Sequence, residues 1–226
     1  MKGTLIVIEG LDGSGKGTQT EKLFQALSAQ GRQVRRISFP NYESESSALV
    51  KMYLRGDFGS DPGDVNPYAA SAFYAVDRYA GYKQDWGGFY RAGGMILADR
   101  YTTSNAIYQC SKLPREQWAG FLDWLFAFEY EQLGIPAPDQ VLYLRTDTAV
   151  SQRLMSERYQ GDEGKKDIHE RDLSYLNHAQ QAADYCAERL GWRTIQCSAE
   201  GAMRAVEDIH QELLGLIPRK GEGSIT

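Results

Sequence analysis

The clearest chemistry in this chain lies in Gly10-Leu11-Asp12-Gly13-Ser14-Gly15-Lys16-Gly17-Thr18. Closely spaced glycines let successive backbone N–H groups turn inward as an anion nest. A helix opening at Lys16 adds the partial positive charge of its amino end, and the lysine can reach the β and γ phosphates of a nucleoside triphosphate. The apolar run Leu5 to Ile8 comes just before, so the loop stands between a buried strand and a helix, where a phosphate-binding loop belongs. The position after the lysine, commonly a hydroxyl ligand of Mg²⁺, is Gly17, followed by Thr18. Magnesium that arrives with the nucleotide is then held more by phosphates and water than by this loop. As a bare structural feature, the same run would be a glycine-rich turn that only packs closely.

A kinase needs a second site for its acceptor, and two stretches could build one. In Phe73-Tyr74-Ala75-Val76-Asp77-Arg78, Tyr74 and Arg78 are four residues apart and share one helix face. A tyrosine ring stacks on a base, and a guanidinium fork bonds its edge or its phosphate. Alone, the same pair also reads as a core tyrosine beside a solvated arginine. The second stretch runs from Asp99-Arg100-Tyr101 through Thr102-Thr103-Ser104-Asn105 to Tyr108. Asp99 ends an apolar strand, at the carboxyl edge where open α/β sheets bind ligands. An acid there resembles the Walker B residue that organises Mg²⁺, and Arg100 would clamp a phosphate. A strand-end ion pair is the plainer alternative.

These groups need elements to hold them. Leu5 to Glu9, Gln33 to Ser38, Met95 to Ala98, Gln140 to Leu144 and Trp192 to Cys197 read as strands. Between them, helical periods run over about 16–30, 66–86, 115–133, 149–158, 174–190 and 202–216. Asn66-Pro67 supplies an N-cap with proline in the first turn, and Gly31 is a natural stop. Strands alternating with helices predict a five-stranded parallel sheet covered on both faces. At 226 residues the chain suits one domain, taken as 1–218 with a loose tail over 219–226. A net charge of −5 argues against an extended nucleic-acid interface. Cys110, Cys186 and Cys197 are odd in number and form no C-x-x-C, which fits a reducing cytoplasm and excludes a cysteine zinc site. The apolar start is too short for a signal-peptide core, and no run of membrane-spanning length follows.

Taken together, the chain resembles the thymidylate kinases over nearly its whole length. The resemblance is carried by Glu9-Gly10-Leu11-Asp12 into the loop, Phe39-Pro40 after the second strand, Asp77-Arg78, and Asp99-Arg100-Tyr101. Its Gly-Lys-Gly-Thr form is familiar from adenylate-kinase-like enzymes. The resemblance implies a three-layer P-loop NTPase fold with a short mobile lid, and ATP-dependent phosphorylation of dTMP to dTDP with Mg²⁺. It implies that Tyr74 stacks on thymine, where the family usually has phenylalanine, and that Arg78 contacts the base edge. Arg100 would hold the acceptor phosphate, Ser104 and Asn105 would read thymine's polar edge, and Tyr108 would disfavour a ribose hydroxyl. Asp12 would bind the sugar 3′-OH and, with Asp99, help fix Mg²⁺. Phe39 and Tyr42 would complete the acceptor side, and a homodimer is expected.

Several positions depart from the family pattern. Asn41 stands where an arginine commonly follows the Phe-Pro pair, Gly13 and Ser14 carry no loop arginine, and Arg145 replaces an acidic residue after the fourth strand. In that family, a loop without its arginine goes with basic residues supplied by a lid. Here the lid would span about 153–171, with the polar Gln160 to Gly164 inside it. Arg158 is the first choice for neutralising the transferring phosphoryl group, with Arg153 turned to the adenine and Lys165, Lys166 and Arg171 as further candidates. Two rival readings are a kinase for another nucleoside monophosphate and a P-loop switch GTPase. Asp85-Trp86-Gly87-Gly88 fits D-x-x-G, but at a helix end and without an N-K-x-D partner.

Overall fold

The computed structural model describes residues 2–158 and 173–218. Lys165, Lys166, Arg171 and the 219–226 tail lie outside them, and Arg158 is described by its backbone alone. The strands of the main sheet are β1 (Thr4–Glu9), β2 (Val34–Ser38), β3 (Met95–Asp99), β4 (Gln140–Arg145) and β5 (Arg193–Gln196). They are all parallel in the order β2-β3-β1-β4-β5, the five-stranded sheet the alternation predicts. β1 lies in the middle, with Leu5 to Ile8 at 0% exposure. A strand covered on both faces needs apolar residues at every position, which is why this one shows no alternation.

The helices are α1 (Lys16–Ala29), α2 (Ala48–Arg55), α3 (Pro67–Gly81), α4 (Gly87–Arg91) and α5 (Thr102–Cys110). They continue with α6 (Trp118–Phe126), α7 (Thr148–Arg158), α8 (Leu173–Arg189) and α9 (Val206–Leu216). Ile6 and Ile8 point to the face where Leu23 and Leu27 of α1 and Leu213 of α9 pack. Leu5 and Val7 point to the other, against Trp86, Tyr90 and Tyr101. This two-sided cover pins the carboxyl ends of the strands. Ile8 pairs with Asp99, so the loop after β1 and the Asp99–Arg100 turn leave the sheet side by side.

Several boundaries differ from the expectations. Asn66 does cap α3, accepting the Ala69 N–H at 2.9 Å, but the helix runs on through a π turn, Tyr82–Trp86, into α4. Asp85 of the D-x-x-G run lies in that π turn and pairs with Arg35 of β2 at the surface. The helix expected over 115–133 is a 3₁₀ turn, then α6, then a second π turn, Ala127–Gln132. The helix expected from Ala202 opens at Val206 instead. Ala202–Met203 (β7) pairs antiparallel with Ser198–Ala199 (β6) across Glu200 and Gly201, both at positive φ. Two left-handed residues in sequence make a tight hairpin turn and cannot begin a helix.

Candidate active site

Gly13 and Gly15 hold φ of +81°, a region L side chains rarely adopt. A Cβ on Gly13 would lie 2.6 Å from the Ser151 carbonyl oxygen of α7, so no arginine fits there. α7 fills the space the missing side chain would need. Among the described residues no side chain caps α1, and its first turn carries no acid, so its amino end suits an anion.

Asp12 is the hub of the site. Its Oδ1 accepts from Lys16 Nζ at 3.2 Å and from Arg100 Nη2 at 2.5 Å, while Oδ2 accepts from Tyr108 Oη at 3.0 Å. Burial pushes this carboxyl up, but Arg100, Lys16 and the hydrogen bonds outweigh it and hold it well below the usual carboxylate range. Arg100 itself has φ +67°, a strained value for a residue with a side chain, and its N–H donates to the Ile8 carbonyl at 3.2 Å. That turn aims the guanidinium at the loop, and its Nη1 also donates to Ser104 Oγ at 3.3 Å.

Two buried acids were given no role from the sequence, Glu9 being quoted only as part of a motif and Glu129 not at all. Glu9, fully buried, accepts from the Gly10 N–H (2.9 Å), Thr103 Oγ1 (2.7 Å) and Ser104 Oγ (2.8 Å), tying the loop's entry to α5. Glu129, in the second π turn and also fully buried, takes Arg78 as a fork with both contacts at 2.6 Å. It also accepts from Thr102 Oγ1 at 2.9 Å and Asn105 Nδ2 at 3.3 Å. An acid inside a strand or an aromatic helix, where composition predicts none, is the signal that could have found both.

The remaining expected residues fall around this core. Tyr74 stands edge-on to Tyr53, with ring centroids 6.4 Å apart. Phe39 is 5% exposed and packs near Tyr101, whereas Tyr42 is 53% exposed. Asp77 is buried. It accepts from the Asn41 N–H and Ser46 Oγ and so anchors the stretch after Phe39-Pro40. Lys51 of α2 brings a cation onto that stretch, donating to the Tyr42 and Ser44 carbonyls. Lys112, in the turn after α5, donates to Tyr53 Oη and the Val65 carbonyl, and burial pushes its amine down to about 7. Arg145 forks onto Asp184 of α8 at 2.9 and 3.0 Å, a local partner that accounts for its presence. Arg153 donates to the Gly201 carbonyl at 3.1 Å. Met203 of the same hairpin approaches to 3.9 Å from where a Gly15 Cβ would stand.

An uncapped glycine loop at the carboxyl edge of a parallel sheet, beside an Asp-Arg strand end, defines a nucleotide-binding domain of the P-loop kinase class. The thymidylate kinase family model matches residues 8–212. The thymidylate kinase of Mycobacterium tuberculosis strain H37Rv is 37% identical over 203 residues, covering 87% of this chain and 92% of that protein. The human thymidylate kinase is 26% identical over 94% of this chain and 88% of its own length. A solved thymidylate kinase from Candida albicans has the same fold, with a TM-score of 0.68 at 22% identity over 95% of this chain and 91% of its own. The chain belongs to the thymidylate kinase family, whose reaction is the ATP-dependent phosphorylation of dTMP to dTDP.

Proposed function

We propose that this chain performs that reaction with Lys16 and the loop amides on ATP and with Arg100, Arg78 and Tyr74 on dTMP. One observation carries the reading. The donor-side lysine and the acceptor-side arginine meet on the same oxygen of Asp12, so two phosphates replacing that contact would lie side by side. Holding two reactants in line supplies much of the catalysis in phosphoryl transfer, and charge neutralisation supplies most of the rest. No general base is required, because the acceptor phosphate is already largely ionised at neutral pH. Closure of the 153–171 segment would expel water that otherwise hydrolyses ATP. Arg153 and the β6–β7 hairpin would flank the adenine.

Asp99 fits a role towards magnesium. Its Oδ1 is buried without a partner among the described residues, and its Oδ2 lies 3.5 Å from the Cβ position of Gly17. No cluster of three or more His, Cys, Asp or Glu that could hold a metal occurs among the described residues. Asp99, with Asp12, would therefore share the ion with phosphate oxygens and water, and the ion would add positive charge to the transferring group. An ADP-release assay across nucleoside monophosphates, with and without EDTA, tests the reading. dTMP is expected to give the highest kcat/KM, and EDTA is expected to abolish turnover. A clearly higher value for dGMP, CMP or AMP would overturn the acceptor assignment.

We further propose one catalytic domain over 1–218 acting as a homodimer in the cytoplasm. No helix among the described residues is long and apolar enough to cross a membrane, and cell fractionation checks the location. The outer face of α3 exposes Tyr68 (45%), Val76 (50%) and Tyr79 (38%), and the Tyr68 ring lies 4.6 Å from that of Trp124. Such a stripe suits a two-fold interface. Sedimentation should give twice the monomer mass, with Val76→Glu shifted to monomer. A monomeric unmodified protein would sink the dimer.

A further inference from the structure

The hydrogen bonds around Glu129 leave its neighbours with a fixed donor and acceptor sense. A carboxylate only accepts, and so does a backbone carbonyl. Asn105 points one end of its amide at both Glu129 Oε1 (3.3 Å) and the Ser71 carbonyl (3.2 Å). That end must therefore be the NH₂, and both its hydrogens are committed. Its Oδ1 accepts from no described residue, and it is not sealed from solvent. Arg78 gives Nε–H and one Nη2–H to Glu129 and one Nη1–H to the Tyr101 carbonyl at 3.4 Å. Its remaining N–H groups are donors.

Purely as packing, this arrangement is hard to justify. A buried ion pair is weak support for stability and is often replaceable by apolar groups. It stands beside Tyr74 on α3, and its acid is supplied by a π turn, a device that often occurs at functional sites.

We infer that Glu129 is the positioning residue that sets acceptor specificity, by holding Asn105 as an acceptor and Arg78 as a donor towards the base. The inference rests on the acceptor side proposed above. An acceptor beside a donor matches an imide edge, where N3–H adjoins the O4 carbonyl, as in thymine or uracil. A cytosine-type edge presents a lone pair at N3 and an amino group next to it. It would meet Asn105 Oδ1 and Arg78 with every polarity reversed, and buried mismatched polar groups discriminate strongly.

The test compares kcat/KM for dTMP and dCMP in unmodified protein and Glu129→Gln, with melting temperatures recorded. A glutamine that turns its own NH₂ towards Asn105 favours the inverted amide, and only the Ser71 carbonyl then holds the original sense. The dTMP-to-dCMP ratio should then fall at least about tenfold, beyond any loss common to both acceptors. Parallel loss of both activities with an unchanged ratio would mean that Glu129 only supports the fold, and the inference fails. If Glu129→Gln does not fold, a neutron crystal structure of unmodified protein with dTMP, which shows the amide hydrogens, decides. Asn105 Nδ2 still on Ser71 and Glu129, with Oδ1 on N3, upholds the inference, and Nδ2 turned to the base overturns it. No dTMP turnover by unmodified protein would reject the proposed function itself, and this inference with it.

Discussion

Lys16→Ala is expected to lower kcat by at least about 10²–10³-fold while the protein stays folded. Among the described residues the Lys16 ammonium touches only Asp12 and the Leu11 carbonyl, at 3.2 and 3.3 Å. Neither contact builds the core, so the substitution removes charge from the phosphate site and little else. The loss should fall on kcat, because the lysine acts chiefly on charge that develops as the phosphoryl group moves. Without Lys16, Asp12 keeps Arg100 and Tyr108, and the hub survives on its acceptor side. Rates from the ADP-release assay, with far-UV circular dichroism for folding, make the check. Near-normal turnover in a folded variant would remove this loop from the mechanism.

The second large effect is expected from the 153–171 segment. α7 leaves no room for an arginine at Gly13, and Asn41 carries no charge. A cation on the transferring phosphoryl group then has to come from elsewhere, with Arg158 the first candidate. An arginine in that role is worth roughly 10³–10⁵ in kcat, whereas an exposed ion pair is worth about 0–1 kcal/mol. Arg153→Ala, Arg158→Ala, Arg171→Ala and a Lys165/Lys166 double alanine separate these cases. At least one should lose two or more decades in kcat with little change in the dTMP KM. Arg153, which bonds the hairpin beside the loop, should act mainly on the ATP KM. Wild-type kcat in all four variants would place the cation outside this segment.

Much of this was legible because its causes are local. A buried strand, glycines that permit positive φ and a lysine at the first helical position lie within about fifteen consecutive residues. The Asn66 cap and the Asp99 strand end are likewise each set by their immediate neighbours in sequence. Helix boundaries were less legible where neighbours overrode the period. The two π turns depend on what packs against Trp86 and Glu129, and the β6–β7 hairpin on two adjacent positive-φ residues.

The amino-acid sequence by itself determined the fold class, the phosphate loop and the side chains that could serve an acceptor. Each of these follows from residue type and short-range spacing. The tertiary structure alone decided how those side chains are paired. Arg78 is 51 residues from Glu129, Arg100 is 88 from Asp12 and Thr103 is 94 from Glu9. No local pattern specifies such pairs. The last two arise because the parallel sheet brings the carboxyl ends of β1 and β3 together, and in all three a buried donor must find an acceptor.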